Sequence, residues 1–430
     1  MDEKAVMVFS AIVFAACAFA DVSVAEHGGD INAAIDAVAE AGGGRVLVPE
    51  GEWASKGPIR LKSGVELHLE KDAKIVFSDD PADYLPAVDT TWEGIFCRNY
   101  SPLVYAYGCT NVSITGGGTF APKMGTWKKW FARPQSHRDA TAWLYYAMST
   151  NMPVSARDVT KLDGANMRPY LMQFNKCANV LLDGFKIRSS PMWCVHLLET
   201  DDVQVRNLDI YAHGHNNDGI DIEYCRNVLV ENCRFDQGDD AVVIKAGRNQ
   251  DAWRLGKCTE NVEIRNCEIV DGHVLLGIGS EMSGGVRNVW MHDCKMTGSA
   301  LNVFYMKTNE RRGGFIENIK MENCTVEAKG RHRPKSVVGI ETGVLYQWAA
   351  LPTFEVKPTR IRNIVAENVH VNHADHLVFI DGDARSPVEG VTMRNVTCDR
   401  IYGEKTVIRN AVGVSLDGEQ LCKAQERLRK

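Results

Sequence analysis

The sequence predicts an all-β chain, a single-domain parallel β-helix (a solenoid) with an N-terminal capping helix and long loop insertions. Three observations predict it. First, one pattern recurs: Asn or another polar residue, a branched apolar residue, any residue, an apolar residue, any residue, Asn or Asp, a small residue or Cys, then a further apolar position. It reads Asn179-Val180-Leu181-Leu182-Asp183-Gly184-Phe185, then Asp202-Val203-Gln204-Val205-Arg206-Asn207-Leu208, then Asn227-Val228-Leu229-Val230-Glu231-Asn232-Cys233. Further copies start at Asn111, Asn261, Asn288, Asn318 and Asn363, with a worn copy at Glu389, and most spacings lie between 23 and 34 residues. Second, apolar and polar positions alternate within each copy, which makes it a short strand with one buried face. Third, no helical period separates the copies, so the strands stack coil on coil instead of alternating with helices. A leucine-rich solenoid is the alternative, but its consensus is missing.

The other elements follow from this frame. Asn at a fixed place in every coil bends the chain and stacks its amides along the axis. Cys233, Cys267, Cys294 and Cys324 share one slot of successive copies. Free Cys packs as a small apolar residue, and a linear stack of thiols cannot give tetrahedral metal geometry, so these four are expected as core fillers. A solenoid needs caps. Asp30 can N-cap a helix that carries Ile31, Ile35 and Val38 on one face and stops at Gly42-Gly43-Gly44. Residues Glu419 to Arg429 are expected to form a polar C-terminal helix. The stretch Pro122 to Arg168 breaks the repeat and holds Trp127, Trp130, Trp143, Tyr145 and Tyr146. It reads as an insertion beside a groove, as does a second break, Arg331 to Pro358, with Tyr346 and Trp348.

The first 20 residues read as a signal peptide: an apolar run from Ala5 to Ala16, then Ala18-Phe19-Ala20 as a cleavage site before Asp21. That run is too short to span a bilayer comfortably. A secreted or periplasmic protein is expected, with residues 21–430 as the β-helix domain. Lipoprotein processing at Cys17 is the rival. Export would suit disulfides among the thirteen cysteines, outside the stacked four. The net charge of −6, without a basic run, argues against nucleic acid as a partner. Nine tryptophans and twelve tyrosines leave room for stacking on carbohydrate, or simply for packing.

His213-Gly214-His215-Asn216-Asn217-Asp218-Gly219-Ile220-Asp221 leads into Gln237-Gly238-Asp239-Asp240, and Asp218 and Asp239 are 21 residues apart, close to one coil. Stacked coils lie about 4.8 Å apart. Asp218 is therefore expected beside the Asp239-Asp240 pair on one external face. Carboxylates that close repel, which raises at least one pKa and leaves a proton to donate. Glycoside hydrolysis needs such a set: one acid for the leaving oxygen, one carboxylate to activate water or attack carbon. An ordinary Asn-Asp-Gly turn or a Ca²⁺ site is the competing reading. The next coils bring Asp271-Gly272-His273 and then Tyr305-Met306-Lys307-Thr308. His273 can orient the acid through a hydrogen bond, and Lys307 can pair with an anionic sugar.

On these residues the sequence resembles glycoside hydrolase family 28, the polygalacturonase family, over nearly all of the chain after the signal segment. Asn216-Asn217-Asp218 matches the family's Asn-x-Asp motif, Gly238-Asp239-Asp240 its Gly-Asp-Asp motif, and Gly272-His273 its Gly-His motif. The resemblance implies a right-handed β-helix and an inverting hydrolase that needs no cofactor or metal, a monomer acting on pectic polysaccharide or oligosaccharide. It implies Asp239 as general acid, Asp218 and Asp240 as activators of water, and His273 as support for the acid or the sugar. Lys307 is implied as a contact for a substrate carboxylate, with Asn216, Tyr305, Arg312 and Glu281 also lining the substrate. The run Ile278-Gly279-Ser280-Glu281-Met282-Ser283-Gly284-Gly285, with Lys307-Thr308-Asn309 and Arg312-Gly313-Gly314, looks like the exo-acting bacterial branch. Two positions depart: Val274 follows His273 where the family has Gly, and Tyr305 stands where it has Arg. The missing bidentate grip on a uronate opens rhamnogalacturonan or another decorated pectin as substrate, with Arg311 or Arg312 as a replacement cation. A β-helix lyase and a non-catalytic glycan-binding β-helix are the readings from other classes.

Overall fold

The computed structural model describes residues 21–330, 332–345 and 355–422; the expected signal segment, Tyr346 and Trp348 lie outside them. Eleven parallel strands stack into one sheet, from Ile59–Arg60 through Met172–Asn175, Val195–Leu198, Ile220–Glu223, Val242–Lys245, Val274–Ile278, Asn302–Lys307 and Ser336–Glu341 to Thr406–Arg409. The other faces of the coils join in a 22-stranded sheet, so the chain is a right-handed parallel β-helix. From Phe315 onward two faces run together as long bent strands, Phe315–Val326, Arg360–Ala374 and Val388–Ile401.

The recurring Asn explains the coil. Asn111, Asn179, Asp202, Asn227, Asn261, Asn288, Asn318 and Asn363 all sit at φ between +53° and +59°. That left-handed region is steeply unfavourable for most L-residues and mildest for Asn and Asp. Each amide then serves the next coil: Asn261 donates to Asn227 at 3.1 Å, Asn288 to Asn261 at 3.1 Å, Asn318 to Asn288 at 3.0 Å and Asn363 to Asn318 at 2.7 Å. In the worn copy, Gly390 takes this position at φ +69°, paired in register beside Asn363. A second ladder turns the next corner, with Asn368 donating to Asn323 at 3.0 Å and Asn395 to Asn368 at 2.9 Å. Replacing Asn288 by Ala forces a methyl-bearing residue into left-handed backbone and removes two hydrogen bonds. The expected cost is about 2–3 kcal/mol, against roughly half that for Asn288→Gly, which keeps the backbone freedom. Denaturant midpoints of the two variants check it.

The interior is packed in columns. Cys233, Cys267, Cys294 and Cys324 are buried in one column, and the Cys267 N–H points at Cys294 Sγ at 3.4 Å. Register continues that column into Val369 and Val396, which supports the core-filler role. All twelve described cysteines are free thiols, nine of them buried. Helix α1, Ile31–Glu40, caps the N-terminal end: Asp30 accepts from the Ala33 N–H at 3.0 Å, and Ile31, Ala34, Ile35 and Val38 are buried.

The C-terminal end differs from expectation. Glu419–Cys422 is a strand, antiparallel to Ala411–Leu416, and 423–430 lie outside the described residues. Asp417 and Gly418 have φ of +49° and +85°. An Asp-Gly pair with two positive φ values is a hairpin turn, and it outweighs the weak helical pattern that follows.

The insertion after Thr119–Pro122 holds α2 (Gly125–Lys129) and α3 (Gln135–Ser149). Trp127 and Tyr145 are fully buried there. A hairpin that the repeat pattern does not show, Val88–Trp92 paired with Ile95–Asn99, joins it over the eleven-stranded sheet. Tyr105 and Asn175 of that sheet bond the Asp89 carbonyl, and Gln173 bonds Thr90 at 2.9 Å. A second apolar cluster, with Trp92, Leu144, Tyr170 and Trp193, fills the space between them. The outer face of the sheet is thus covered on the N-terminal side of Asp218. Among the described residues no helix is long and apolar enough to cross a membrane.

Candidate active site

Stacking brings the carboxylates together. The Gly219 N–H donates to the Asp240 carbonyl at 2.9 Å, and the His273 N–H to the Asp239 carbonyl at 3.0 Å. Asp218 and Asp240 therefore occupy equivalent places on adjacent coils, and His273 sits one coil beyond Asp239. All four lie at the N-terminal mouths of the strands Ile220–Glu223, Val242–Lys245 and Val274–Ile278.

His273 Nδ1 lies 2.9 Å from Asp239 Oδ1, which also accepts the Asp240 N–H at 3.0 Å. Burial favours the neutral acid at Asp239. The hydrogen bond from His273, its charge and those of Lys307 and Lys245 outweigh burial and hold the carboxyl down at about 2. Burial likewise opposes charge on His273, but Asp239 and then Asp240 raise its pKa. In the free site the shared proton therefore rests on the imidazole. Asp218 goes the other way: burial, then Asp221 and Asp239, push its carboxyl well above the usual range against the pull of Lys245. Lys307 Nζ lies 3.0 Å from Asp240 Oδ2. The remaining oxygens, Asp218 Oδ1 and Asp240 Oδ1, are buried and have no hydrogen-bond partner among the described residues. Two carboxylates one coil apart, each with an oxygen to spare, next to a proton-bearing Asp–His pair, form an acid–base site. Asp239, Asp240 and His273 also bring ligand atoms within 4.8 Å of one another, as do His213, Asp236 and Asp271. In the first group a proton and the Lys307 ammonium already meet the carboxylates; in the second, His213 Nε2 meets Asp236 at 2.6 Å.

The family model of glycosyl hydrolases family 28 matches residues 104–416. The chain belongs to this family. A solved exopolygalacturonase from Thermotoga maritima is 33% identical, with a TM-score of 0.82 and 93% of this chain covering 92% of that one. A probable polygalacturonase from Vitis vinifera is 26% identical over 83% of this chain and 67% of its own length. An exo-poly-alpha-D-galacturonosidase from Dickeya chrysanthemi is 26% identical over 60% of this chain and 46% of that protein. The chain thus spans about half to two thirds of these two relatives. It is a polygalacturonase-like glycoside hydrolase of family 28, with exo-acting neighbours.

Against the expected substrate contacts, the family 28 site is arranged differently. Asn216, at φ +58°, stays at the groove, where its Oδ1 accepts from Arg168 at 2.9 Å and Arg133 at 3.2 Å. Asn217 is buried and braces the turn through the Ser190 and Met192 carbonyls. Glu281 and Arg312, by contrast, are built into the wall. Glu281 is paired with Lys245 at 3.0 Å and Arg248 at 2.5 Å. Arg312 is fully buried and donates to the Ser280 carbonyl at 2.7 Å and Asn249 at 2.8 Å. It cannot replace the cation missing at Tyr305. Tyr305 is itself buried, and its hydroxyl bonds Glu341 Oε1 at 2.9 Å. The other Glu341 oxygen pairs with Lys335 at 2.7 Å.

Several residues escaped sequence reasoning. Arg248 Nη2 joins Glu281 to Glu93, which lies at the hairpin tip, and its Nη1 bonds the Tyr145 hydroxyl of α3. The tip can approach because Gly94 packs directly on Gly247, at φ +83° and +63°, with the Gly94 carbonyl accepting the Arg248 N–H at 3.0 Å. The two glycines, each beside a charged residue, were the available signal, and nothing in the local pattern linked them.

Proposed function

We propose that this chain hydrolyses galacturonide linkages of pectic polysaccharide or oligosaccharide by inversion, taking units from a chain end. The observation that carries the reading is the stacked Asp218–Asp240 pair beside the Asp239–His273 pair, on a sheet whose face is covered on one side by the hairpin and insertion. A groove blocked on one side accepts the end of a polymer more readily than its middle.

The chemistry runs on this chain's own residues. When a uronate binds, its charge and the loss of water raise the proton affinity of Asp239, which draws the proton back from His273. Asp239 gives it to the glycosidic oxygen as that bond breaks. Asp218 and Asp240 take a proton from water on the opposite face of the sugar as it attacks the anomeric carbon, so configuration inverts. Lys307, paired with Asp240, lies within reach of a sugar carboxylate. Lys307→Ala is expected to lower kcat/KM on oligogalacturonides about 10- to 100-fold, the worth of one lost charge-assisted contact. Initial rates against oligomer concentration check it.

A second reading is favoured by Tyr305. With Glu341 bound to its hydroxyl and Lys335 spent on Glu341, the positive charge that a second uronate would meet there is balanced. A neutral or masked sugar, as in rhamnogalacturonan, suits that position. One experiment separates the readings. Homogalacturonan and rhamnogalacturonan oligomers are incubated with the protein, the released unit is identified by mass, and its first-formed anomer is read by proton NMR. Unsaturated products would instead indicate a lyase.

A further inference from the structure

The eleven-stranded sheet holds a buried lysine that the proposed acid–base steps do not use. Lys245 ends the strand Val242–Lys245, and its side chain is 6% exposed. Its ammonium lies 3.8 Å from Asp218 Oδ2, 3.4 Å from Asp221 Oδ1 and 3.0 Å from Glu281 Oε2. On the remaining side it stands 4.4 Å over the Trp193 ring. Three carboxylates, two from the coil before Lys245 and one from the coil after it, thus converge on one ammonium in a dry place. Asp218 is its link to the groove, Asp221 lies beneath on the sheet, and Glu281 ties it through Arg248 to Glu93 of the hairpin.

We propose that Lys245 is the positioning residue for Asp218, drawing its proton affinity down against burial and fixing it so that its free oxygen can take the proton of the attacking water. The proposal rests on the reading of Asp218 as a water activator. Its physical ground is charge balance. Asp218, Asp221, Asp239 and Asp240 crowd one another, and burial penalises each charge. Around Asp218, Lys245 supplies the nearest ammonium, because Lys307 is taken up 3.0 Å from Asp240 and the His273 charge by Asp239. Without it, Asp218 and Asp221 face each other with no cation between them, and a proton becomes the replacement. A protonated Asp218 cannot act as base. Burial opposes the lysine charge, but Glu281, Asp221 and Asp218 together keep its pKa well above the normal value, so the cation persists throughout the working range. The other charged groups near this set include Glu223, paired with His196 at 2.9 Å, Arg248 and Arg312 beside Glu281, and Arg168, which feels the Asp218 charge.

The test compares wild type, Lys245→Met and Lys245→Arg. The acid limb of the kcat/KM profile on oligogalacturonides reports ionisation of the base. In Lys245→Met it is expected to move up by about one pH unit or more, and in Lys245→Arg to return towards wild type. A lysine that merely supports the fold would lower the whole profile without moving the limb, and that result overturns the proposal. Lys245→Gln keeps a donor in the polar pocket and replaces the methionine variant should that one not fold. A second readout needs no turnover: infrared titration of the protonated carboxyl stretch. The Asp218 band, identified by its absence from Asp218→Asn, should persist to higher pH in Lys245→Met than in wild type. A persisting band that survives in Lys245→Met/Asp218→Asn, or an Asp218 band that titrates at the same pH in both proteins, overturns the proposal. If wild type hydrolyses no galacturonide, the reading of the substrate falls, while the infrared comparison still decides whether Lys245 governs Asp218.

Discussion

Asp239→Asn is expected to lower kcat on oligogalacturonides by about 10²- to 10⁴-fold, because the leaving oxygen loses its proton donor. The loss should be much smaller on an aryl galacturonide such as the 4-nitrophenyl glycoside, whose leaving group departs without a proton. Initial rates on the two substrates check it; equal losses on both would take the acid role from Asp239. The same variant has a stability signature, and its sign can be worked out. The fold depresses the Asp239 carboxyl to about 2 against about 3.9 when free, so its contribution is present above about pH 4 and is lost as pH falls towards 2. The His273 pKa is raised, so its contribution is complete below the free value of about 6.5 and disappears as pH rises through the folded value. Both are intact between about pH 4 and 6.5. Thermal melts of Asp239→Asn should therefore fall furthest below wild type in that window and approach it on the alkaline side. The shift should be modest, since the His273 side chain is 38% exposed and solvent screens the pair.

What sequence could show depended on whether the information was periodic. The Asn ladder was legible because the same residue returns at the same place in coil after coil, and one conformation explains every copy. The row Asp218, Asp239-Asp240, His273 was legible for the same reason: each member follows its neighbour by about one coil, so linear spacing becomes spatial contact. Lys245 was not legible. Strand alternation puts it on the outer face, where a lysine is normally solvated. It is buried because Trp193, Asp218, Asp221 and Glu281 close round it, with Arg248 tying Glu281 to the hairpin tip and α3 behind. Arg312 misled for a related reason. In the sequence it follows Lys307 closely, but the chain turns inward at Asn309–Arg312, where Arg312 N–H reaches the Asn309 carbonyl at 3.1 Å. The hairpin itself was hidden by its turn, Glu93-Gly94, whose left-handed Glu at φ +44° is a weaker signal than Asn-Gly.

The largest loss of stability is expected from Arg157→Met, about 3 kcal/mol, the lower end of the usual cost of breaking a buried ion pair, because Arg254 stays beside Asp251. Arg157 Nη1 lies 2.6 Å from Asp251 Oδ2, with side chains 2% and 5% exposed. The same guanidinium donates to the Phe96 carbonyl at 3.0 Å and the Met152 carbonyl at 2.9 Å. Phe96 belongs to the hairpin, Met152 to the insertion, and Asp251 to α4 (Asn249–Leu255), which follows Arg248 directly. One side chain therefore joins the three segments that cover the sheet on the N-terminal side of the aspartates. Removing it leaves the Asp251 carboxylate with the Phe96 N–H at 3.1 Å and Arg254 at 2.6 Å. Arg157→Met/Asp251→Leu removes both charges and should recover a large part of the loss, because the apolar pair needs no solvation. Denaturant unfolding followed by tryptophan fluorescence checks both; a single variant within about 1 kcal/mol of wild type would show that the pair holds nothing together. The consequence for function is separable from the consequence for stability. The aspartates sit on the solenoid, whose coils are held by the Asn ladders and the core columns, so Arg157→Met should keep hydrolysis at temperatures where it remains folded. If the three joined segments are what confines attack to a chain end, the loosened variant should release longer fragments from polymer than wild type does. Unchanged product lengths from a measurably destabilised variant would move the origin of end selection away from this corner.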